Sequence, residues 1–224
     1  YKGGVNYGDT FGVTAIWDTI IYRYLHQKKV AMPFSKSKVK TSYPGGYVKD
    51  PHIGMHDYVL SFDLNSLYPS IIMQYNMSPE TIANGEITSF DIENVLTKSE
   101  KPINNGKALA ANGQYFNIDK PGIIPFIIDE MYKERVGIKQ EMINAQKEKE
   151  KVDKNDKQEI YRIERDIAIA ENRQMSIKIL LNSLYGALGN RYFRFFDQRV
   201  AEAITLTGQL TIRWAEYALN SYLN

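Results

Sequence analysis

The stretch SFDLNSLYPSII, residues 61–72, places Asp63 where an apolar run gives way to a small polar turn. Ser66 is of the type that caps helices, and Pro69 suits an early helical position. An acid at such a junction, beside the free N–H groups of a helix start, can hold a metal–phosphate unit. Alone, the pattern is most simply a structural turn in which Asp and Ser cap a helix.

A second set of residues changes that balance. Lys178, Asn182 and Tyr185 are spaced i, i+4, i+7 and share one helical face, with Gly186 following, where a backbone or a base could approach closely. Arg135 and Lys139 are spaced i, i+4 on an earlier helical pattern. Lys178 lies within SIKILLNSLYG, an otherwise apolar run where a lone ammonium is costly unless it has a partner or a purpose. These three cations could converge on one strongly anionic ligand. The alternative is a solvated hairpin dressed in charge, which is the better account of residues 147–157, where acids and bases alternate.

The elements that must position these groups are partly readable. Residues 11–27 fit a helix with Ile16, Ile20 and Tyr24 on one side. Residues 33–57 are rich in Pro and Gly and read as loop. DYVLSF, 57–62, reads as a buried strand that delivers Asp63 to a sheet edge. Residues 84–125 are irregular, with short strands at best around GQYFNI. Residues 127–152 and 157–188 form two long helical patterns joined by a polar stretch. On the second, Ile160, Ile163, Ile167, Ala170, Gln174, Ile177, Leu181 and Leu184 make a narrow seam suited to an antiparallel partner. Residues 198–223 fit an amphipathic helix with Ala203, Leu206, Leu210, Trp214 and Tyr217 on one stripe. The expected class is α+β.

The 224 residues are 43% apolar and 24% charged, as in an ordinary globular protein. With no cysteine, disulfides and zinc–thiolate sites are excluded. No apolar run is long enough to span a bilayer, and an intracellular location is expected. Net charge is only +2, yet residues 19–49 hold Arg23, Lys28, Lys29, Lys36, Lys38, Lys40 and Lys49 with no acid, which suits a polyanion or a solvated surface equally. Asn76-Met77-Ser78 matches a glycosylation acceptor by chance. His52 and His56 are interrupted by Gly54 and read as loop residues, not metal ligands. No GxxxxGK[ST] loop is present, which removes the central feature of an ATPase.

Taken together, DLNSLYPS (63–70) resembles the DxxSLYPS motif of family B DNA polymerases, and KILLNSLYG (178–186) resembles their KxxxNSxYG motif. YPGG (43–46) is similar to the YxGG/A motif that lies between their exonuclease and polymerase regions, and the three occur in family order. The flanking SIIMQYNMSPETIA and YGALGNRYFRFFDQR look most like the replicative polymerases of tailed bacteriophages.

The resemblance implies DNA-directed DNA polymerisation from dNTPs on primer-template DNA, with two magnesium ions. Asp63 would be one of two metal-binding aspartates, with the Leu64 carbonyl as a further ligand. Ser66, Leu67 and Tyr68 would line the triphosphate and sugar site, the Tyr68 ring leaving no room for a 2′-hydroxyl. Arg135, Lys139 and Lys178 would grip the triphosphate, with Asn182 in the same shell. Tyr185 and Gly186 would face the nascent base pair. Tyr43, Gly45 and Gly46, with the basic segment before them, would contact template backbone.

The implied architecture is part of a palm, with a mixed or antiparallel sheet, plus a helical-hairpin fingers subdomain. Residues 1–57 would be a linker bearing the YxGG-type motif, 58–126 the first part of the palm, 127–190 the fingers, and 191–224 a palm helix. The family's YGDTDS motif, thumb and exonuclease domain are not in the sequence. The fragment alone is expected to be inactive, and a partner segment carrying DTDS and the thumb is expected in cis or in trans, with a sliding clamp for a full enzyme. A catalytically silent nucleic-acid-binding or assembly subunit of a split polymerase is the alternative.

Overall fold

The computed structural model describes residues 3–34, 39, 41–99 and 105–223. Lys36, Lys38 and Lys40 of the basic stretch therefore lie outside the described residues. The elements are α1 (Val13–Gln27), α2 (Leu67–Gln74), β1 (Ile82–Ile87), α3 (Ile92–Leu96), β2 (Ala108–Leu109), β3 (Gln114–Phe116), α4 (Ile123–Lys149), α5 (Lys157–Leu188) and α6 (Gln198–Leu223). The strands form one antiparallel sheet in the order β1-β3-β2. The α+β class is as read, and the strand within GQYFNI is β3. Among the described residues no helix is long and apolar enough to cross a membrane.

Apolar periodicity accounts for the helices. The seam of α5 buries Ile163, Ala170, Gln174, Ile177, Leu181 and Leu184, with Ile160 and Ile167 half-buried, against the antiparallel α4. The link between them ends at Asp156, whose carboxylate accepts from the Glu159 N–H at 3.1 Å and caps α5. Toward the tip the two helices exchange exposed ion pairs, such as Lys149–Glu164 at 2.6 Å, each worth about 0.5 kcal/mol or less. Toward the root they enter the main core with α1, α2 and α6, where Trp17, Ile72, Ile128, Leu184 and Ile204 are fully covered. Trp17 Nε1 donates to Ser183 Oγ at 3.2 Å, tying α1 to α5.

The root of α4 is anchored by polar side chains. Buried Asn76, in the left-handed region at φ 52°, donates from Nδ2 to the Asn117 and Lys120 carbonyls and accepts from the Gly122 N–H at 2.7 Å. Glu80 accepts from the Ile123 N–H at 2.5 Å and from Ser78 Oγ at 2.7 Å, placing a carboxylate at the positive end of α4.

Several expectations are corrected. The run 57–62 is not a buried strand. It is irregular and exposed, with Tyr58, Val59 and Phe62 all more than half accessible. A strand needs a hydrogen-bonding neighbour, and none lies beside this run among the described residues. On α1 the fully buried positions are Trp17, Ile21 and Leu25, one step from the side inferred, with Ile20 and Tyr24 packed on the margin. On α6 burial is concentrated over Val200–Leu210, while Trp214 and Tyr217 are exposed, because what α3 and residues 47–49 hold at that end of the helix is the polar side, through Arg213 and Glu216. Ser66 is the N-cap residue of α2 but makes no side-chain cap bond. It sits in the left-handed region at φ 53°, and Pro69 is the third helical residue.

Candidate functional site

Residues 41–49 form an extended strap along α6. The Thr41 N–H donates to Gln198 Oε1 at 2.9 Å, Gln209 Nε2 donates to the Gly45 carbonyl at 2.6 Å, and Lys49 pairs with Glu216. This strap, α2 and α5 meet around three tyrosines. The rings of Tyr68 and Tyr185 lie 4.8 Å apart, tilted by 50°. Tyr185 also hydrogen-bonds Tyr43. Burial, followed by this hydrogen bond, pushes the Tyr185 hydroxyl well above its ordinary range, and burial with the neighbouring Tyr185 raises that of Tyr68.

Beside the tyrosines is a cleft of about 390 Å³. One wall is the junction Asp63–Pro69, and the other is Arg135 of α4 with Lys178 and Asn182 of α5. Residues more than a hundred positions apart in sequence are thus brought to one space. Asp63 is the one carboxylate among the lining residues. Among the described residues neither Asp63 nor Lys178 has an ion-pair partner, so one acid and one cation stand uncommitted across the cleft. Asp63, Leu64, Asn65 and Leu67 also form part of a larger groove of about 660 Å³ with Leu210 and Trp214.

The sequence-inferred residues distribute as follows. Asp63, Leu64, Ser66, Leu67, Tyr68, Arg135, Lys178 and Asn182 line the cleft; Lys139, one turn farther out on α4, does not. Gly186 is exposed, and a Cβ added there would meet nothing within 4 Å, leaving open space beside Tyr185. Gly46 approaches the hydroxyl of Tyr68: a Cβ built on it would lie 3.5 Å from Oη.

Two residues beyond those inferred act on this site. Gln174 is buried in the hairpin seam, accepts from Arg135 Nε at 3.3 Å through Oε1, and donates through Nε2 to Glu171 at 3.1 Å. A polar residue in an apolar seam was the available signal, since a buried amide must find partners. Gln209, next to a mid-helix glycine, holds the strap at Gly45.

Hard oxygen donors at Asp63 and at the Leu64 carbonyl are of the kind magnesium takes, though groups of three or more His, Cys, Asp or Glu side chains able to hold a metal do not occur among the described residues. The residues present therefore fit one part of such a site.

Comparison with known proteins gives a consistent answer. The family model described as DNA polymerase family B matches residues 14–223. The DNA-directed DNA polymerase of Escherichia phage RB69 is 32% identical over 259 aligned residues, covering 100% of this chain and 29% of that protein. That of Enterobacteria phage T4 is 33% identical, covering 93% and 27%. The chain thus spans less than a third of these relatives. The family B DNA polymerase of Pyrobaculum calidifontis superposes with a TM-score of 0.60 at 23% identity, over 93% of this chain and 24% of that structure, and so shares the fold. A family match across nearly the whole length, joined by relatives above 30% identity that cover it, establishes that the chain belongs to DNA polymerase family B.

Proposed function

We propose that this chain supplies the nucleotide-binding half of a DNA polymerase active site. Residues 58–126 and 191–224 serve as palm, 127–190 as fingers, and 1–57 as a linker that meets template backbone through Tyr43, Gly45 and Gly46. The observation that carries the reading is the cleft that joins Asp63 and Ser66–Tyr68 to Arg135, Lys178 and Asn182.

An incoming deoxynucleoside triphosphate brings about four negative charges, and phosphoryl transfer depends mainly on positioning and charge neutralisation. Lys178 and Arg135 hold the phosphates from the α4–α5 side, Lys139 meets them from one turn farther out, and Asn182 donates or accepts in the same shell. Asp63 and the Leu64 carbonyl hold magnesium, which when bound supplies activation of the primer hydroxyl and neutralises the leaving pyrophosphate. Ser66 and Leu67 form the floor under the phosphates. Tyr68 lies under the sugar and excludes a 2′-hydroxyl, and Tyr185 with Gly186 faces the nascent base pair. The exposed run Tyr58–Phe62 pairs with the segment carrying the DTDS motif, in cis or in trans. The thumb and a sliding clamp complete the assembly on primer-template DNA, inside the cell in which that DNA is copied.

The test is primer extension by a polymerase of the relatives' full length that contains these residues. Asp63→Ala should abolish extension, and Tyr68→Ala should admit ribonucleotides far more readily. Extension that survives Asp63→Ala would overturn the assignment of that carboxylate, and unaltered sugar selectivity in Tyr68→Ala would remove the gate.

A further inference from the structure

Gly208 lies in the middle of α6, where glycine is the poorest helix former apart from proline. Its backbone is not in the left-handed region, so conformation does not require it. The requirement is space. A Cβ built on Gly208 would lie 2.8 Å from Cε1 of Tyr68, 3.5 Å from its Cδ1 and 3.8 Å from Cδ1 of Ile71. The first distance is shorter than carbon atoms tolerate, so the ring would have to move.

The ring has little freedom to do so cheaply. Its centroid is 4.8 Å from that of Tyr185, and its hydroxyl sits near Gly46. Tyr68 is fixed at its own backbone by α2, which packs on both α5 and α6. The Tyr68 ring therefore rests on the bare backbone of α6, against Tyr185.

We infer that Gly208 is a specificity-determining positioning residue, which sets the position of the Tyr68 ring and through it the discrimination between deoxyribose and ribose. It touches neither substrate nor metal; it acts by what it lacks. This rests on the reading of Tyr68 as the sugar gate.

The experiment is steady-state incorporation of a dNTP and the matching rNTP by a polymerase of the relatives' full length containing these residues. Four forms are compared: parent, Gly208→Ala, Tyr68→Ala and the double variant, with thermal melting of each. Gly208→Ala should lower the ratio of kcat/KM for dNTP over rNTP by about tenfold, while Tyr68→Ala lowers it further. In the Tyr68→Ala background, Gly208→Ala should change the ratio by less than about twofold, because the ring it displaces is gone. An unchanged ratio in Gly208→Ala, with Tyr68→Ala altered, overturns this inference and leaves the gate standing. An unchanged ratio in Tyr68→Ala overturns the gate itself. Should Gly208→Ala fail to fold, recovery of folding in the double variant supports the seat, whereas an unfolded double variant overturns it.

Discussion

Arg135 Nε donates to Gln174 Oε1 at 3.3 Å across the seam between α4 and α5. The guanidinium that faces the cleft is thus held from behind by a buried amide, whose other end is held by Glu171 at 3.1 Å. Gln174→Leu keeps the volume and removes the bond. In a full-length polymerase containing these residues it should raise KM for nucleotide about fivefold, or ~1 kcal/mol, with kcat changed less than about twofold. Equal loss in both parameters would show that the amide does more than aim Arg135.

Lys178 and Lys154 separate a specific grip from a diffuse field. Lys178 lines the cleft, whereas Lys154 is in the link at the far end of the hairpin. Lys178→Ala should reduce kcat/KM for nucleotide by at least about tenfold, roughly 1.4 kcal/mol. Lys154→Ala should change it by less than about twofold. Similar losses at both sites would mean that only overall positive charge matters.

One carboxylate is too few for a pair of ions held about 3.5–4 Å apart. Residues 1–224 by themselves should therefore show no primer extension at any magnesium concentration. Addition of a separate chain bearing the DTDS segment and thumb should restore it, and Asp63→Ala should abolish that restored activity. Extension by the isolated residues would sink the proposal that Asp63 needs a second aspartate.

Tyr185 and Tyr68 bind their protons more tightly in the folded chain than the ordinary value of 10.0 allows. A raised folded value contributes stability that is fully present below pH 10 and is lost as pH rises through the folded value. Denaturant midpoints should accordingly be flat between about pH 7 and 9 with respect to these groups and fall above about pH 10. Tyr185→Phe should lessen the alkaline fall. An identical alkaline slope in Tyr185→Phe would show that the fall comes from elsewhere.

Asn76 satisfies three backbone groups from a left-handed position that asparagine adopts readily. Asn76→Ala leaves the buried Gly122 N–H without its acceptor and should cost about 2–4 kcal/mol in urea unfolding. A loss below about 1 kcal/mol would show that water replaces the side chain there.

Long helices were legible because their evidence is local. The α5 and α6 patterns match the observed bounds at both ends, and α4 starts four residues earlier than inferred because Pro125 fits its first turn. The run 57–62 misled because a strand is a relation between two segments, and apolar content speaks for only one of them. Trp214 and Tyr217 misled for a similar reason: a stripe says which side could be buried, not whether anything covers it. Within the site, the motifs at 63–70 and 178–186 hold every cleft-lining residue but Arg135, which its i, i+4 spacing with Lys139 brings forward. Gln174 hid as one more seam position. Gly208 carried a usable signal, a glycine inside a helical pattern, although only the three-dimensional approach of Tyr68 explains it.

The anchoring of α4 at Asn76 and Glu80 sets an angular tolerance. Arg135 lies twelve residues beyond Ile123, a lever arm of about 18 Å at 1.5 Å per residue. A rocking of only ~3° at the root displaces the guanidinium by about 1 Å, a misplacement that can cost a reaction about a hundredfold. The bonds from Glu80 to Ile123 and from Asn76 to Gly122 are therefore the trunnion of the arm, and they share with Gln174 and the α5 seam the task of aiming Arg135 at the cleft.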